Sequence, residues 1–235
     1  MNKRLHTIDL GGANCYLLQT EQGFVLFDTG GHMMMDKEFS NRRELLLEQL
    51  AQAGCTPGSL SLIILTHGDN DHAANAASLR EHFGAKIAMH PGDLYLVQEP
   101  TIEQYMESFR YRSLLLRTVF RLMQKTIREV MTKTLEDFEP FSPDILLEDG
   151  QDLRTYGIPG CVVHLPGHTP GSIGILLEDG SLIAGDTFAN MKKPTAAPNA
   201  VDDSLLQKSI VRAKSMQIDM VYPGHGAPFK FSDLG

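Results

Sequence analysis

Cysteine is scarce in this 235-residue chain: Cys15, Cys55 and Cys161 are far apart and odd in number, so no paired disulfide framework is encoded. Cys15 and Cys161 fall in apolar, strand-like runs, where a buried thiol is the expected role rather than a nucleophile. Nothing approaches the ~18 consecutive apolar residues of a membrane-spanning helix. The first residues turn at once into alternating strand-like sequence with no apolar signal core, and with unpaired thiols this gives a cytoplasmic expectation. Positive charge is also short: 21 Lys and Arg face 29 Asp and Glu, a formal net charge of −8, which argues against a general nucleic-acid binder. Glycine (21) and proline (12) are ordinary, excluding collagenous and low-complexity chains. The length suffices to bury a sizeable core without disulfides, and it is read as a single domain over residues 1–235.

The average charge hides a local reversal. Residues 109–133 hold seven basic side chains against one acid, Glu129. Leu116, Phe120, Met123, Ile127 and Val130 are spaced four, three, four and three apart, the apolar stripe of a helix. Arg117, Arg121, Lys125 and Arg128 make a second stripe, rotated from the first by about 100–180° at the helical period. An amphipathic helix packed on the body with a solvated basic face is the plainest reading. A lid whose arginines meet an anionic small-molecule substrate and a homodimer interface are the other uses of such a segment. Membrane-surface binding is the weakest, because the surrounding chain is acidic.

Short apolar runs predict strands at 5–10, 15–19, 24–27, 62–65, 86–89, 152–154, 162–164, 173–177, 182–184 and 220–222, punctuated by glycine-containing turns. Helical patterning marks 40–52, 73–83 and 202–216, the last with Asp202 or Asp203 placed to cap it. Two strand-rich blocks with helices between and after them predict a layered α/β or α+β fold, with a helical insertion around 95–140.

Chemistry concentrates in His67, Asp69, Asp71 and His72, four ligand-type side chains within six residues directly after a buried strand. A helix cap would need a single carboxylate and no histidine. His67 and Asp69, two apart in an extended turn, are thrown to one side, whereas the adjacent Asp71 and His72 diverge, so one segment can serve two metal ions. Pro166-Gly167-His168-Thr169-Pro170-Gly171 and Pro223-Gly224-His225-Gly226 each hold a histidine on a Gly/Pro loop after a strand. Ala184-Gly185-Asp186-Thr187 presents a carboxylate in the same manner. Such loops fix a side chain rigidly at a strand end. His32 follows Asp28-Thr29-Gly30-Gly31 and is placed to contact substrate; His90 reads as structural; His6, His82 and His164 have no motif around them.

The ordered set Phe27-Asp28-Thr29-Gly30, Thr66-His67-x-Asp69-x-Asp71-His72, Pro166-Gly167-His168-Thr169-Pro170-Gly171, Ala184-Gly185-Asp186 and Pro223-Gly224-His225-Gly226 resembles the metallo-β-lactamase superfamily. The resemblance spans nearly the whole chain and implies an αββα sandwich with a metal site on loops at the strand ends. It implies His67 and His168 on a first divalent ion, with Asp69 either joining them or emptying that site to leave a mononuclear enzyme, Asp71, His72 and His225 on a second ion, Asp186 bridging the two, and Asp28 behind as a second layer. It also implies hydrolysis by an activated water, which Asp71 would orient, on a lactone, thioester or phosphoester. The family usually has histidine where this chain has Asp69. With that carboxylate, three aspartates and a hydroxide balance two divalent cations. Zinc is the expected metal, and the harder oxygen donor admits iron or manganese. Flavodiiron proteins, a redox branch of the superfamily, resemble this chain at that position, so an iron enzyme handling oxygen, nitric oxide or a persulfide is the alternative. The third motif is similar to that of hydroxyacylglutathione hydrolases.

Overall fold

The computed structural model describes residues 5–32, 40–107 and 109–234. The first sheet is built from β1 (Leu5–Asp9), β2 (Asn14–Thr20), β3 (Gly23–Phe27), β4 (Leu60–Ile64), β5 (Lys86–Met89) and β6 (Ile145–Leu146), in that spatial order. β1 to β3 pair antiparallel, and β3 to β6 run parallel. The second sheet holds β7 (Gly160–His164), β8 (Ile173–Leu177), β9 (Ser181–Asn190), β10 (Thr195–Ala196), β11 (Met220–Gly226) and β12 (Phe229–Lys230), in the order β12-β11-β9-β8-β7 with β10 on β9. Helices α1 (Arg43–Gln52), α2 (Asn70–Ala73), α3 (Ala76–Phe83), α4 (Leu94–Gln98), α5 (Ile102–Glu107), α6 (Leu114–Glu136) and α7 (Asp203–Lys214) complete the chain.

Side-chain alternation along the strands sorts the apolar residues into layers. In β3, Val25 and Phe27 turn to the space between the sheets, where they meet Ile173, Ile175 and Ile183. Phe24 and Leu26 turn the other way, onto Leu46 and Leu50 of α1 and Leu79 of α3. In β9, Ile183 faces the other sheet, whereas Leu182 and Ala184 pack toward Ala213 of α7. The result is helix, sheet, sheet, helix: an αββα sandwich. A fully buried side chain such as Phe27, with no exposed area, contributes on the order of 1.5–3 kcal/mol to holding the layers together. No helix among the described residues is long and apolar enough to cross a membrane.

Three sequence expectations need correction. Residues 152–154 are not a strand: Asp152 makes one isolated bridge to Cys161, and its carboxylate takes the Arg154 backbone N–H and side chain at 2.6–3.1 Å. That local ion pair winds Arg154–Tyr156 into a short 3-10 turn. The helix expected over 73–83 breaks at Ala74-Asn75, because Asn75 turns inward to bond Thr29. The apolar stripe of α6 packs only in its second half. Ile127 and Met131 are buried, but Leu116 is 38% and Met123 49% exposed, and Leu115 and Leu122 stand clear in solvent. Of the two aspartates expected to cap α7, Asp202 does so by accepting the Leu205 N–H at 3.0 Å. Cys15 and Cys55 are buried thiols, whereas Cys161 is half-buried.

Candidate metal centre

The strand ends that bring the motifs together are those of β4, β7, β9 and β11. The chain leaves β4 at Leu65, and the next residues deliver His67 and Asp69; Asp71 and His72 follow on α2. Asp69 occupies the N-cap position of α2 with extended backbone, yet its carboxylate makes no capping bond. It faces His168 instead, with Oδ2 3.2 Å from Nε2. In the second sheet, Asp186 and His225 lie inside β9 and β11 rather than after them. The parallel β9–β11 register shifts between Tyr222, Pro223 and His225, and Gly185 takes φ +50 where a Cβ would collide with Thr66. These irregularities re-aim both side chains toward the first sheet.

All seven residues singled out from sequence converge. One ligand atom each from His67, Asp69 and His168, from His67, His72 and Asp186, and from Asp71, His72 and His225 lie within 4.8 Å of one another. Asp186 stands in the middle. Its Oδ1 is 3.4 Å from His72 Nε2, and its Oδ2 is 3.1 Å from His225 Nε2 and 3.6 Å from His168 Nε2. Asp71 Oδ2 lies 3.4 Å from His225 Nε2 and 3.9 Å from His72 Nε2. Asp28 is set behind: its Oδ2 accepts from His72 Nδ1 at 2.9 Å and from the Thr66 hydroxyl at 2.8 Å, and its Oδ1 accepts the Thr66 N–H at 2.7 Å. Asp28 carries φ 59 without being glycine, a strain of about 1–2 kcal/mol that these bonds offset.

The hydrogen bonds around the four rings fix their tautomers. His225 Nδ1 donates to the Gly12 carbonyl at 2.7 Å, and His168 Nδ1 to the Asn199 carbonyl at 3.2 Å. His72 Nδ1 donates to the Asp28 carboxylate. The Thr66 hydroxyl gives its only hydrogen to Asp28, so at 3.0 Å it accepts from His67 Nδ1. Every ring therefore carries Nδ1–H outward and turns Nε2 inward, the arrangement in which histidine ligates a metal through Nε2. The donor set fits a pair of cations. His67 Nε2 and Asp186 Oδ1 are buried without a hydrogen-bond partner, a costly condition that a cation relieves.

Charge makes the same demand. Burial opposes protonation of His72 and His168, but Asp186 and Asp71 raise the first to about 9, and Asp69 and Asp186 raise the second to about 9. His225 is likewise raised well above the usual imidazole range by Asp186 and Asp71 against the same burial. His67, buried beside two other rings, is lowered to about 4. Without a cation the carboxylates hold protons on His72, His168 and His225; a divalent ion bound there would supply the positive charge instead.

Several structural partners were not evident from sequence. Asp93, fully buried, accepts Gly68 N–H at 2.9 Å and the Thr169 hydroxyl at 2.6 Å on Oδ2, and Gly171 N–H at 2.6 Å on Oδ1. It thereby ties the His67–Asp69 turn to the His168 loop. Burial pushes its carboxyl up to about 6 even against those three donors. The only local signal was a carboxylate in the turn after β5. Tyr16 donates to the Pro223 carbonyl at 2.6 Å, and Asn14 donates to the Pro223 and Gly226 carbonyls at 3.0 and 2.7 Å, seating the His225 loop. His90, read as structural, accepts Gly92 N–H at 3.0 Å and stacks on His164 at 4.0 Å, while His164 Nε2 donates to the Pro170 carbonyl.

A cavity of about 320 Å³ opens over the cluster, with Asp69, Asp71, His168, Asp186 and His225 at its floor. His32 lines it, with Nε2 3.4 Å from Asp137 at the end of α6. The helical segment between β5 and β6 forms the roof through Tyr105, Phe109, Tyr111, Met131 and Thr134. Residues 110–112 pair with 198–200, beside the Asn199 carbonyl that holds His168.

The family model for the metallo-beta-lactamase superfamily matches residues 8–225, and the chain belongs to that superfamily. Metallo-beta-lactamase domain-containing protein 1 of Rattus norvegicus is 26% identical over 238 residues, covering 97% of this chain and 72% of its own length. Hydroxyacylglutathione hydrolase GloC of Haemophilus influenzae is 24% identical, covering 97% and 92%. Among solved structures, a metallo-beta-lactamase family protein of Thermus thermophilus, TTHA1429, superposes with a TM-score of 0.69 at 24% identity, over 97% of this chain and 75% of that one. TTHA1623, solved in a di-iron-bound form, superposes with a TM-score of 0.65 at 25% identity, over 97% and 94%.

Proposed function

We propose that this protein is a metal-dependent hydrolase of an ester-like bond, a lactone, thioester or phosphoester, with a binuclear site as its centre. The observation that carries this reading is the placement of Asp186 between two donor groups, with one carboxylate oxygen toward His72 and the other toward His168 and His225. His67, Asp69 and His168 would hold one ion, Asp71, His72 and His225 the other. Two divalent ions held there would supply Lewis acidity, which would acidify water and polarise an electrophile. Asp71, whose carboxylate lines the cavity and is 35% exposed, is the group placed to accept a hydrogen bond from that water. Asp28 and the Gly12, Asn199 and Thr66 acceptors keep each ring in its ligating orientation.

Zinc is the proposed metal, with manganese and iron admitted by Asp69. A second reading, an iron-dependent redox enzyme, draws on that carboxylate and on the di-iron-bound form of TTHA1623. Metal analysis of protein purified without added metal separates the two. Two equivalents of zinc or manganese with ester turnover support the hydrolase. Iron, with redox-active absorbance and no turnover of lactone, thioester or phosphodiester, refutes it in favour of the redox enzyme.

A further inference from the structure

The basic side chains of α6 and of the segment before it do not face the site. Arg110 pairs with Glu107 at 3.0 Å, Arg112 with Asp203 at 2.6 Å, and Arg128 with Glu103 at 3.0 Å. Arg117 donates to the Tyr111 carbonyl at 2.6 Å, and Lys125 stands 92% exposed. Among the described residues, no lysine or arginine lines the cavity. What the roof turns downward is mainly apolar and aromatic, with the Tyr111 phenol and the Asn70 carboxamide as uncharged polar groups in the lining, and two of its hydroxyls are spent locally. The Thr134 hydroxyl bonds the Val130 carbonyl at 3.0 Å and the Tyr105 phenol the Leu96 carbonyl at 3.3 Å. The side wall continues this character through Ala189, Met191, Ala197 and Pro198. Burial lowers the pKa of His32 in the wall, against the pull of Asp137, and so disfavours its cationic form.

We infer that the substrate carries an uncharged, apolar acyl or ring portion that fills the space under Tyr105, Phe109, Tyr111 and Met131. An anionic group there would be desolvated with no cation to receive it, a cost of several kcal/mol in general, whereas each buried methylene is favourable. The three floor carboxylates add to this selection: with Asp69 in place of the family's usual histidine, two divalent ions and a hydroxide leave no excess positive charge to draw an anion in. The inference rests on the hydrolase reading for its chemistry, in which water adds across the ester C–O bond to give acid and alcohol. Its binding part stands on the cavity alone.

Two matched pairs of probes test it on the metal-loaded protein. N-phenylnaphthylamine and anilinonaphthalene sulfonate share one skeleton and differ by the sulfonate. The para-nitrophenyl esters of butanoic and succinic acid share chain length and differ by a distal carboxylate. The uncharged dye should bind at least about tenfold tighter than the sulfonate, and the butanoate should exceed the hemisuccinate about tenfold in kcat/KM, as expected when an unpaired charge must be buried. Met131→Lys, in the roof, should narrow both preferences. Met191→Lys, at a position 69% exposed and hence safe for folding, should do the same from the mouth. Equal or tighter binding of the sulfonate, equal turnover of the hemisuccinate, or a dye signal indifferent to both substitutions overturns the inference. A tenfold dye preference that both variants narrow, with neither ester nor any lactone, thioester or phosphodiester hydrolysed, refutes the hydrolase reading and upholds the apolar cavity.

Discussion

Replacing Asp93 tests whether the centre is held by the residues around it as well as by its ligands. The carboxylate accepts three bonds in a site without solvent: Gly171 N–H on Oδ1, and Gly68 N–H and the Thr169 hydroxyl on Oδ2. In Asp93→Asn, one of the two acceptor positions becomes an NH2 group. If that group faces Gly171, two donors confront each other. If it faces the other way, Thr169 can rotate to accept, but Gly68 N–H is orphaned. Either way one buried backbone donor loses its partner, which costs about 1–3 kcal/mol. Asp93→Ala orphans all three donors and costs about 3–9 kcal/mol by the same reasoning, a large share of a domain's typical margin. The carboxamide is therefore the informative change.

Its second consequence separates bracing from positioning. Gly68 sits between His67 and Asp69, and Thr169 follows His168, so freeing either turn lets first-site donors drift from their common point. Urea unfolding of the metal-loaded protein should show a lower midpoint at unchanged slope, and competition with a chromogenic chelator should show metal affinity weakened about 10–100-fold. A variant within about 0.5 kcal/mol of the parent and equal to it in metal affinity would refute the argument. Lost stability with affinity intact would show that Asp93 braces the fold without positioning the ligands.

Metal affinity should rise with pH between about 7 and 9, because His72 and His168 are held near 9 by their carboxylates and protons compete with metal below that value; a flat profile would refute it. Adding metal to chelator-treated protein in weak buffer at pH 7.5 should release protons, measured by an indicator dye. Asp28→Ala should weaken metal binding about 10–100-fold by freeing the His72 ring, read by the same chelator competition, and unchanged binding would mean that packing alone holds that ring. Asp69→His should raise zinc affinity relative to iron; an unchanged preference in a two-metal competition would place Asp69 outside the coordination sphere. Gly224→Ala puts a methyl group 2.7 Å from His72 Cε1 and against Asp186, so metal content should fall while circular dichroism stays native.

The convergence of the candidate ligands was legible because metal chemistry demands particular side chains at fixed points and glycine-containing turns mark those points, although Asp186 and His225 lie inside β9 and β11 rather than after them. Residues that hold the ligands were less legible, since their contacts are long in sequence. Asp93 meets Thr169 and Gly171 across 76 and 78 residues, and Tyr16 meets Pro223 across 207. Asp28 was found only because it stands in a motif. The α6 stripes show the other boundary of sequence reading. Period specifies a helix, but not where the body beneath it stops: Leu116, Met123 and Ile127 share one stripe and are 38%, 49% and 8% exposed. For the same reason the arginine stripe could be seen but its direction could not. Arg128 pairs with Glu103 at the surface and Arg117 donates to the Tyr111 carbonyl, rather than meeting a ligand in the cavity.

The distribution of ligands over the two sheets has a consequence for stability. His67, Asp69, Asp71 and His72 follow β4 of the first sheet, whereas His168, Asp186 and His225 belong to the second. Each of the three donor groups contains members from both sheets: His168 completes one, Asp186 another and His225 the third. The centre therefore exists only when the sheets are in register. That register is set by the inter-sheet core of Val25, Phe27, Ile64, Ile175, Ile183 and Tyr222, and at the site's own edge by the Tyr16 and Asn14 bonds to Pro223 and Gly226. Packing and ligation are then linked. A metal that binds the folded chain stabilises it by mass action, and side chains that align the sheets raise metal affinity without touching an ion. Tyr16, whose phenol reaches across from β2 to β11, occupies the point where the two effects meet.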